Sequence, residues 1–426
     1  MTINPNVFCN SPWYELHVYW NGDYGFCCQQ FNTPYEKTLD NPYNILKMSI
    51  RDWYNSDPMR EARLKMFKDN RWNLCGKCWQ EETVGSSSRR YRQNQKSVIF
   101  KSQFVDSFNQ SPGYKTFMQS SQEGVTDQPP VDLHIDLGNY CNLACKMCWS
   151  GASSKIATQE KKWGTLIDAS HLGLDWTKNK EVWERFLDEL IQLPLMNIHF
   201  MGGETLIQPK FEELIDYLIN NNKTDFGISF VTNGTTVNTA LIEKLSKFKR
   251  VGIEVSIEAT TDINNYVRQG TNTQNVLDNI KLYQSLANNN IEITIRSAVS
   301  ALTVCDFWTL LKYCLDNQLL IKSLIVNEPS FMQVAVLPNS IRQTYKQNYL
   351  QLVNDSTISD INESNPHNYQ KVISHYAQQV INLLDSDELP GIDKLVNHMK
   401  KWDNVYQFDA KKLYPELKDI LDKYEY

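Results

Sequence analysis

Three cysteines lie close together in the chain with the spacing Cys141-x3-Cys145-x2-Cys148. They follow directly after a strand-like run at residues 131–137. Three thiolates on one short loop can bind three irons of a cubane iron–sulfur cluster and leave the fourth iron open to another ligand. An open iron can take part in chemistry, whereas a cluster with four thiolates usually carries electrons or stabilises the fold. A zinc knuckle and three unrelated buried thiols are the alternatives, and the spacing favours the cluster.

A second group of cysteines, in the first 80 residues, offers four thiolates for another metal site. Its members are Cys9, Cys27, Cys75 and Cys78. Cys28 follows Cys27 on a strand-like run, so the two side chains point to opposite faces and only one serves this site. The spacing Gly22-x4-Cys27 selects Cys27. Four thiolates suit either a 4Fe–4S cluster or a zinc ion, and both stay open at this point. We assign no role to Cys305 and Cys314, which we interpret as small buried hydrophobic residues.

A pair of glycines followed by a carboxylate, Gly202-Gly203-Glu204, ends the next strand-like run. Glycines let a backbone approach a ligand closely, and a carboxylate can receive an ammonium group. The motif is weak by itself, but its place at a strand end after a three-cysteine loop makes it more specific. Further polar residues follow later strand-like runs: Asn233, Ser256, Glu258 and Arg268.

The segment Cys141-Asn-Leu-Ala-Cys145-Lys-Met-Cys148 resembles the signature of the radical S-adenosylmethionine (radical SAM) enzymes. In that family a Gly-Gly-Glu element holds the amino group of the methionine moiety, polar side chains reach the ribose, and an arginine pairs with the methionine carboxylate. The resemblance implies that eight residues contact S-adenosylmethionine: Met147, Gly202, Gly203, Glu204, Asn233, Ser256, Glu258 and Arg268. Met147 replaces an aromatic residue that usually lies beside adenine, so Trp149 is an alternative partner for the base.

The same resemblance implies a reaction. S-adenosylmethionine chelates the open iron of a 4Fe–4S cluster held by Cys141, Cys145 and Cys148, and the reduced cluster passes one electron to the sulfonium. The carbon–sulfur bond then breaks, and a 5′-deoxyadenosyl radical takes a hydrogen atom from the substrate. The protein excludes water and holds the target carbon in place. A one-electron donor such as flavodoxin or ferredoxin is implied.

The first 80 residues are similar to the SPASM and twitch auxiliary domains that many radical SAM enzymes carry. The chain departs from that pattern in two respects. Those domains usually follow the barrel, whereas this one precedes it, and the later cysteines of a full SPASM domain are missing because none occurs between Cys78 and Cys141. The resemblance implies one auxiliary 4Fe–4S cluster of the twitch type.

Short β-rich runs alternate with amphipathic helical stretches between residues 131 and 330, which predicts an α/β fold with parallel strands. The predicted strands are 131–137, 196–201, 226–232, 251–257, 291–299 and 322–327. Because eight strand–helix units close a full barrel, six predict a partial (β/α)6 TIM-like barrel. We therefore predict a twitch-like auxiliary cluster domain at 1–83, a connector at 84–130, the radical SAM partial barrel at 131–330 and a mostly helical C-terminal region at 331–426.

Local signals predict the elements of the N-terminal domain. Strand-like runs at 14–20 and 24–28 flank Asn21-Gly22, a hairpin signal, and Asp57-Pro58 predicts a helix with Asp57 as its N-cap. The connector contains several basic residues: Arg89, Arg90, Arg92 and Lys96. We interpret them as a solvated face rather than a clamp for an anionic substrate.

Composition excludes several classes of protein. Hydrophobic residues make up 41% and charged residues 22% of the 426 residues, as in an ordinary globular protein. The net charge of −6 argues against a nucleic-acid binder. No apolar run is long enough to span a bilayer, and the first ten residues lack the layout of a signal peptide. We therefore expect a cytoplasmic protein that does not bind membranes.

The leading hypothesis is a radical SAM oxidoreductase that oxidises or crosslinks a side chain of a peptide or protein. One alternative is the dehydrogenation or rearrangement of a small polar metabolite, such as an aminosugar or nucleotide. Another is a non-catalytic iron–sulfur protein that binds a partner. No catalytic acid or base is assigned, although Tyr140, His199 and Glu328 lie near predicted strand ends.

Overall fold

The computed structural model of the chain describes residues 7–30, 41–66, 71–83, 88–91, 123–173, 175–356 and 369–424. The chain forms two compact units, each assembled from separate stretches of sequence. The first unit comprises Met1–Tyr140, Ser170–Phe230 and Glu243–Val251, and the second comprises Cys141–Ala169, Val231–Ile242 and Gly252–Tyr426. Within the described ranges, none of the helices is both long enough and apolar enough to cross a lipid bilayer.

All six predicted strands are present, each within two residues of its predicted ends. The strands of the described chain are β1 Glu15–Val18, β2 Tyr24–Gly25, β3 Asp132–Asp136, β4 Ala144–Cys145, β5 Asn197–Met201, β6 Gly227–Thr232, β7 Arg250–Ser256, β8 Arg268–Gln269, β9 Ile291–Val299 and β10 Leu320–Ile325. The predictions succeed because the barrel strands are apolar and buried, as the side chains of Val251, Ile253 and Val255 in β7 show. The predicted α/β class is confirmed.

In the first unit the strands lie in the order β6-β5-β3-β1-β2. Strands β3, β5 and β6 are parallel neighbours, as predicted. The N-terminal hairpin is confirmed, with β1 antiparallel to β2 and a connection closed by the Tyr19 amide, which donates to the Asp23 carbonyl at 2.9 Å. The predicted second strand at 24–28 is too long, because β2 ends at Gly25 and the Cys27 carbonyl accepts from the Gln30 amide in a turn. The prediction that Cys27 and Cys28 lie on a strand is therefore wrong. Strand β1 also pairs in parallel with β3, so the N-terminal hairpin extends the same sheet.

In the second unit β7, β9 and β10 are neighbours in that order, and β9 is parallel to β10. Strands β6 and β7 contribute residues to both units. The two short strands β4 and β8 form a separate antiparallel pair, in which Cys145 is opposite Arg268. This small ribbon positions the three-cysteine loop.

Helices connect the strands and form the C-terminal region, as predicted. The helices of the described chain are α1 Ile50–Tyr54, α2 Asp57–Met66, α3 Gly76–Thr83, α4 Ser154–Trp163, α5 Lys180–Gln192, α6 Pro209–Asn220, α7 Thr239–Leu245, α8 Asp262–Val267, α9 Thr273–Leu286, α10 Phe307–Asp316, α11 Asn339–Ser356, α12 Tyr369–Leu384, α13 Ile392–Tyr406, α14 Ala410–Leu413 and α15 Lys418–Lys423. Helix α2 begins at Asp57, one residue before the predicted start, and buries Met59, Ala62 and Met66.

Two basic residues of the predicted connector are not solvated, so that prediction is wrong for them. The Arg89 guanidinium pairs with Glu15, and the Arg90 guanidinium pairs with Glu82 at 2.6 Å. Only 18% of the Arg89 side chain and 6% of the Arg90 side chain are exposed. Carboxylates that are largely buried require a counter-charge, and the two arginines supply it. Arg92 and Lys96 lie outside the described residues.

Candidate functional site

The three-cysteine loop of the second unit contains Cys141, Cys145 and Cys148, which are half-buried and form no disulfide bond. The Leu143 amide donates to the Cys141 sulfur at 3.4 Å, and the Cys148 amide donates to the Cys145 carbonyl at 3.0 Å. The loop therefore turns back on itself at two points, and one of these contacts is made by a cysteine sulfur. Burial, and to a smaller extent the neighbouring Cys141, raise the pKa of Cys148 to about 12. Thiols in such surroundings become thiolates when they bind a metal, so this donor set fits an iron–sulfur cluster.

Arg268 lies opposite Cys145 and forms a buried ion pair with Glu258. The guanidinium donates to Glu258 through Nε and through Nη2, the latter at 3.0 Å, and its Nη1 is 3.8 Å from the Cys145 sulfur. Burial raises the pKa of Cys145, whereas the positive charge of Arg268 lowers it. The structure therefore brings together two predicted S-adenosylmethionine contacts and one predicted metal ligand.

Asn233, at the end of β6, is hydrogen-bonded to the same loop. Its Nδ2 donates to the Asn142 side-chain oxygen at 2.7 Å, and Asn142 donates to the Thr235 hydroxyl at 2.9 Å. Ser256, at the end of β7, is also buried. Of the two candidates for a contact with adenine, Met147 is partly buried, whereas 49% of Trp149 is exposed.

The Gly202-Gly203-Glu204 element of the first unit packs against the chain that follows β3. Both glycines have positive φ angles, 77° and 55°. A Cβ atom on Gly203 would lie 2.1 Å from the Tyr140 carbonyl oxygen. That oxygen accepts from the Glu204 amide at 2.7 Å and from the Gln208 side chain at 2.8 Å. Glycine is therefore required at residue 203 by both conformation and space.

Glu204 is buried, and its carboxylate accepts a hydrogen bond from the Leu206 amide at 3.2 Å. This contact fixes the carboxylate at the end of β5, where it caps a short 3-10 helix. A buried carboxylate held in this way can receive an ammonium group. The geometry is compatible with the predicted role, which stays a proposal.

The four cysteines predicted for the second metal site interact with one another in the first unit. Burial raises the pKa of Cys75, and the thiols of Cys9 and Cys78 raise it further. Burial also raises the pKa of Cys27, and the nearby Cys75 contributes to the same rise. We call this set, Cys9, Cys27, Cys75 and Cys78, the N-terminal thiol cluster. Cys9 and Cys78 are buried and Cys27 and Cys75 are half-buried, and four such thiols fit a metal centre with four protein ligands.

A buried polar face of the first unit was not predicted. His17, His134 and His199 are direct neighbours across β1, β3 and β5, and Ser229 of β6 continues the row. The His199 Nδ1 is 2.7 Å from the Ser229 hydroxyl, and the rings of His134 and His199 are 5.1 Å apart. The signal for this face is the alternation of polar and apolar residues along each strand, as in Asp132-Leu-His-Ile-Asp136.

One end of this face brings the ligand atoms of Glu15, Cys28 and His134 within 4.8 Å of one another. The Arg89 guanidinium, however, contacts Glu15 and lies 3.2 Å from the His134 Nε2. Its positive charge opposes a metal cation at the same atoms. We therefore do not assign a metal to these three residues.

Comparisons with known proteins identify two domains of the chain. A family model described as the radical SAM superfamily matches residues 135–313. Residues 135–313 therefore form a radical SAM domain. A second model, SPASM, described as an iron–sulfur cluster-binding domain, matches residues 9–79. The predicted order, with the auxiliary domain before the radical SAM domain, is therefore confirmed.

The radical SAM and SPASM matches also decide the cofactors. A radical SAM domain implies a 4Fe–4S cluster and S-adenosylmethionine, and a SPASM domain implies an auxiliary iron–sulfur cluster. Both cofactor predictions are confirmed, and the zinc alternative is set aside. The assignment of individual residues to these groups stays a proposal.

Several curated proteins are similar to part of this chain. Mycofactocin maturase MftC of Mycobacterium ulcerans (strain Agy99) is 27% identical over 140 residues, which are 33% of this chain and 32% of the relative. PqqA peptide cyclase of Granulibacter bethesdensis (strain ATCC BAA-1260 / CGDNIH1) is 26% identical over 34% of this chain and 33% of the relative. The chain thus spans about a third of the length of these relatives. Among solved structures, "Native anSMEcpe with bound AdoMet" aligns with a TM-score of 0.40 and 19% identity over 53% of this chain and 61% of that one.

Proposed function

We propose that this radical SAM protein is an enzyme that oxidises or crosslinks a side chain of a peptide or protein. The observation that carries the proposal is the loop of three half-buried cysteines beside the Arg268–Glu258 ion pair. The SPASM match and the peptide-maturing relatives support a peptide substrate rather than a small metabolite. Oxidation fits a chain that carries a second site for one-electron chemistry.

Two groups of cysteines would hold the iron–sulfur clusters. Cys141, Cys145 and Cys148 would bind the cluster that contacts S-adenosylmethionine, and the N-terminal thiol cluster would bind the auxiliary one. When bound, the first cluster supplies the electron that cleaves S-adenosylmethionine, and the second exchanges one electron with the substrate or a partner. A donor such as flavodoxin or ferredoxin and a cytoplasmic location belong to the same proposal.

The ion pair of Arg268 and Glu258 lies beside Cys145. Glu258 occupies Nε and Nη2 of the guanidinium, so the rigid fork of Arg268 is held in a single orientation. The Nη1 group is thereby directed at the Cys145 sulfur, where its charge stabilises the thiolate. Because a guanidinium has five N–H donors, donors remain on Nη1 for the carboxylate of S-adenosylmethionine.

The other proposed contacts supply shape and polar groups. Gly202 and Gly203 leave the backbone open for a close approach, and the Glu204 carboxylate would receive the methionine ammonium. Asn233 and Ser256 are buried at strand ends, where they can hydrogen-bond to a ribose. Met147 would lie beside the adenine. These residues bind and orient the ligand, and the burial of Glu204, Asn233 and Ser256 excludes water from their contacts with it.

The experiment is mass spectrometry after anaerobic incubation of the reduced, reconstituted protein with S-adenosylmethionine. One arm contains synthetic peptides that together include every side-chain type, and the other contains aminosugars and nucleotides. We expect a peptide whose mass is lowered by two hydrogen atoms, which is the signature of an oxidation or an intramolecular crosslink. Modification of the small metabolites alone would refute the peptide assignment.

A further inference from the structure

Lys146 lies inside the three-cysteine loop, between Cys145 and Met147, and its side chain is fully buried. The ammonium Nζ donates to the Asp403 carboxylate at 2.8 Å and lies 3.3 Å from the centre of the Tyr266 ring. Only 6% of the Asp403 side chain is exposed. A buried lysine that is paired with a carboxylate and covered by an aromatic face has a single low-energy position. The loop is therefore anchored between its second and third cysteines.

Helix α13 supplies two more contacts to the same loop. The His398 Nε2 donates to the Lys146 carbonyl at 3.2 Å. Trp402 forms a buried apolar cluster with Ala144 and Ile156, and Cys148 packs against that cluster. His398 and Trp402 are four residues apart and Asp403 follows directly, so one face of the helix makes all three contacts.

We propose that α13 is a clamp that holds the three-cysteine loop in the shape required for cluster binding, with Asp403 as its principal positioning residue. The helix lies outside both family matches, which cover residues 9–79 and 135–313. The inference rests on the proposed function only in that the loop must hold a cluster. Without the Asp403 charge, the buried ammonium of Lys146 loses its partner, and its movement toward water displaces the backbone between Cys145 and Cys148.

The test compares Asp403→Asn with Asp393→Asn after anaerobic reconstitution. Asp393 is an exposed carboxylate at the start of the same helix, so the second variant makes the same chemical change without touching the loop. The readouts are iron bound per chain, circular dichroism, and the electron paramagnetic resonance spectrum of the reduced protein with and without S-adenosylmethionine. We expect Asp403→Asn to weaken cluster retention about 10–100-fold, the usual cost of removing a residue that supports a metal ligand. The circular dichroism and the auxiliary-cluster signal should stay unchanged.

Equal iron retention and equal spectra in the two variants would overturn the proposal. If Asp403→Asn does not fold, the double variant Lys146→Met/Asp403→Leu removes both charges and keeps an apolar packing. We expect this double variant to fold and still show an altered spectrum of the three-thiolate cluster, whereas a wild-type spectrum would overturn the clamp. If the spectrum of the wild-type protein does not respond to S-adenosylmethionine, the proposed function is refuted. The role of α13 is still tested in that case, because the two variants can be compared by the iron that they retain.

Discussion

The substitution Gly203→Ala tests the strand-end element most sharply. Alanine at a φ angle of 55° costs about 1–2 kcal/mol, because its Cβ meets the following carbonyl in the left-handed region. The new Cβ would also lie 2.1 Å from the Tyr140 carbonyl oxygen. Relief of that overlap requires this oxygen to move away from the Glu204 amide and the Gln208 side chain, which are 2.7 and 2.8 Å from it. Two hydrogen bonds at about 1 kcal/mol each bring the expected loss of unfolding free energy to about 3–4 kcal/mol.

Gly164→Ala is the matched control. Gly164 has a φ angle of 68° at the end of α4, and no atom lies within 4 Å of the position of an added Cβ. We expect this variant to lose only the conformational part, about 1–2 kcal/mol. The assay is denaturant unfolding under anaerobic conditions, together with titration of S-adenosylmethionine, whose affinity should fall for Gly203→Ala alone. Equal destabilisation of the two variants would refute the reasoning, since it would show that the Tyr140 contact costs nothing.

Three further predictions concern the other parts of the structure. Glu258→Gln should lower the unfolding free energy by about 3 kcal/mol, because the buried guanidinium of Arg268 loses its counter-charge; an unchanged midpoint of thermal unfolding would contradict this. Arg63→Lys should cost about 2–3 kcal/mol in denaturant unfolding, because one ammonium cannot replace a guanidinium that donates to three backbone carbonyls at 2.7–3.0 Å; a loss below 1 kcal/mol would show that those bonds are dispensable. In protein stripped of iron, alkylation of Cys9 should accelerate as the pH rises toward about 11, because burial raises the pKa of this thiol to that value and the thiolate is the nucleophile. A rate that levels off near pH 9 would contradict the burial of Cys9.

Much of the fold could be predicted because its signals are local. The apolar strands, the helical spacing between them and the Asn21-Gly22 turn each occupy a few neighbouring residues, and the structure contains the corresponding elements. The parallel pairing of β1 with β3 could not be predicted in this way. The two strands are separated by more than a hundred residues, and nothing in either strand specifies the other as its neighbour.

In the candidate site, too, local features could be predicted and contacts between residues far apart in the sequence could not. The spacing of Cys141, Cys145 and Cys148 is a local signal and is enough to predict a metal-binding loop. The ion pair between Glu258 and Arg268 was not predicted, because two charges ten residues apart carry no sign that they meet. Lys146 and its partner Asp403 are even further apart in the sequence, so their contact could not be predicted either. The wrong prediction that Arg89 is solvated has the same cause, because its partner Glu15 is far away in the sequence.

The central claim is that Cys141, Cys145 and Cys148 form a site at which S-adenosylmethionine is cleaved. The most direct measurement is the amount of 5′-deoxyadenosine formed when the anaerobically reconstituted protein is mixed with dithionite and S-adenosylmethionine. We expect product from the wild type and from Cys305→Ala, a cysteine outside both proposed metal sites, and none from Cys145→Ala. Equal product from Cys145→Ala, or none from a wild-type protein that has its full iron content, would contradict the account.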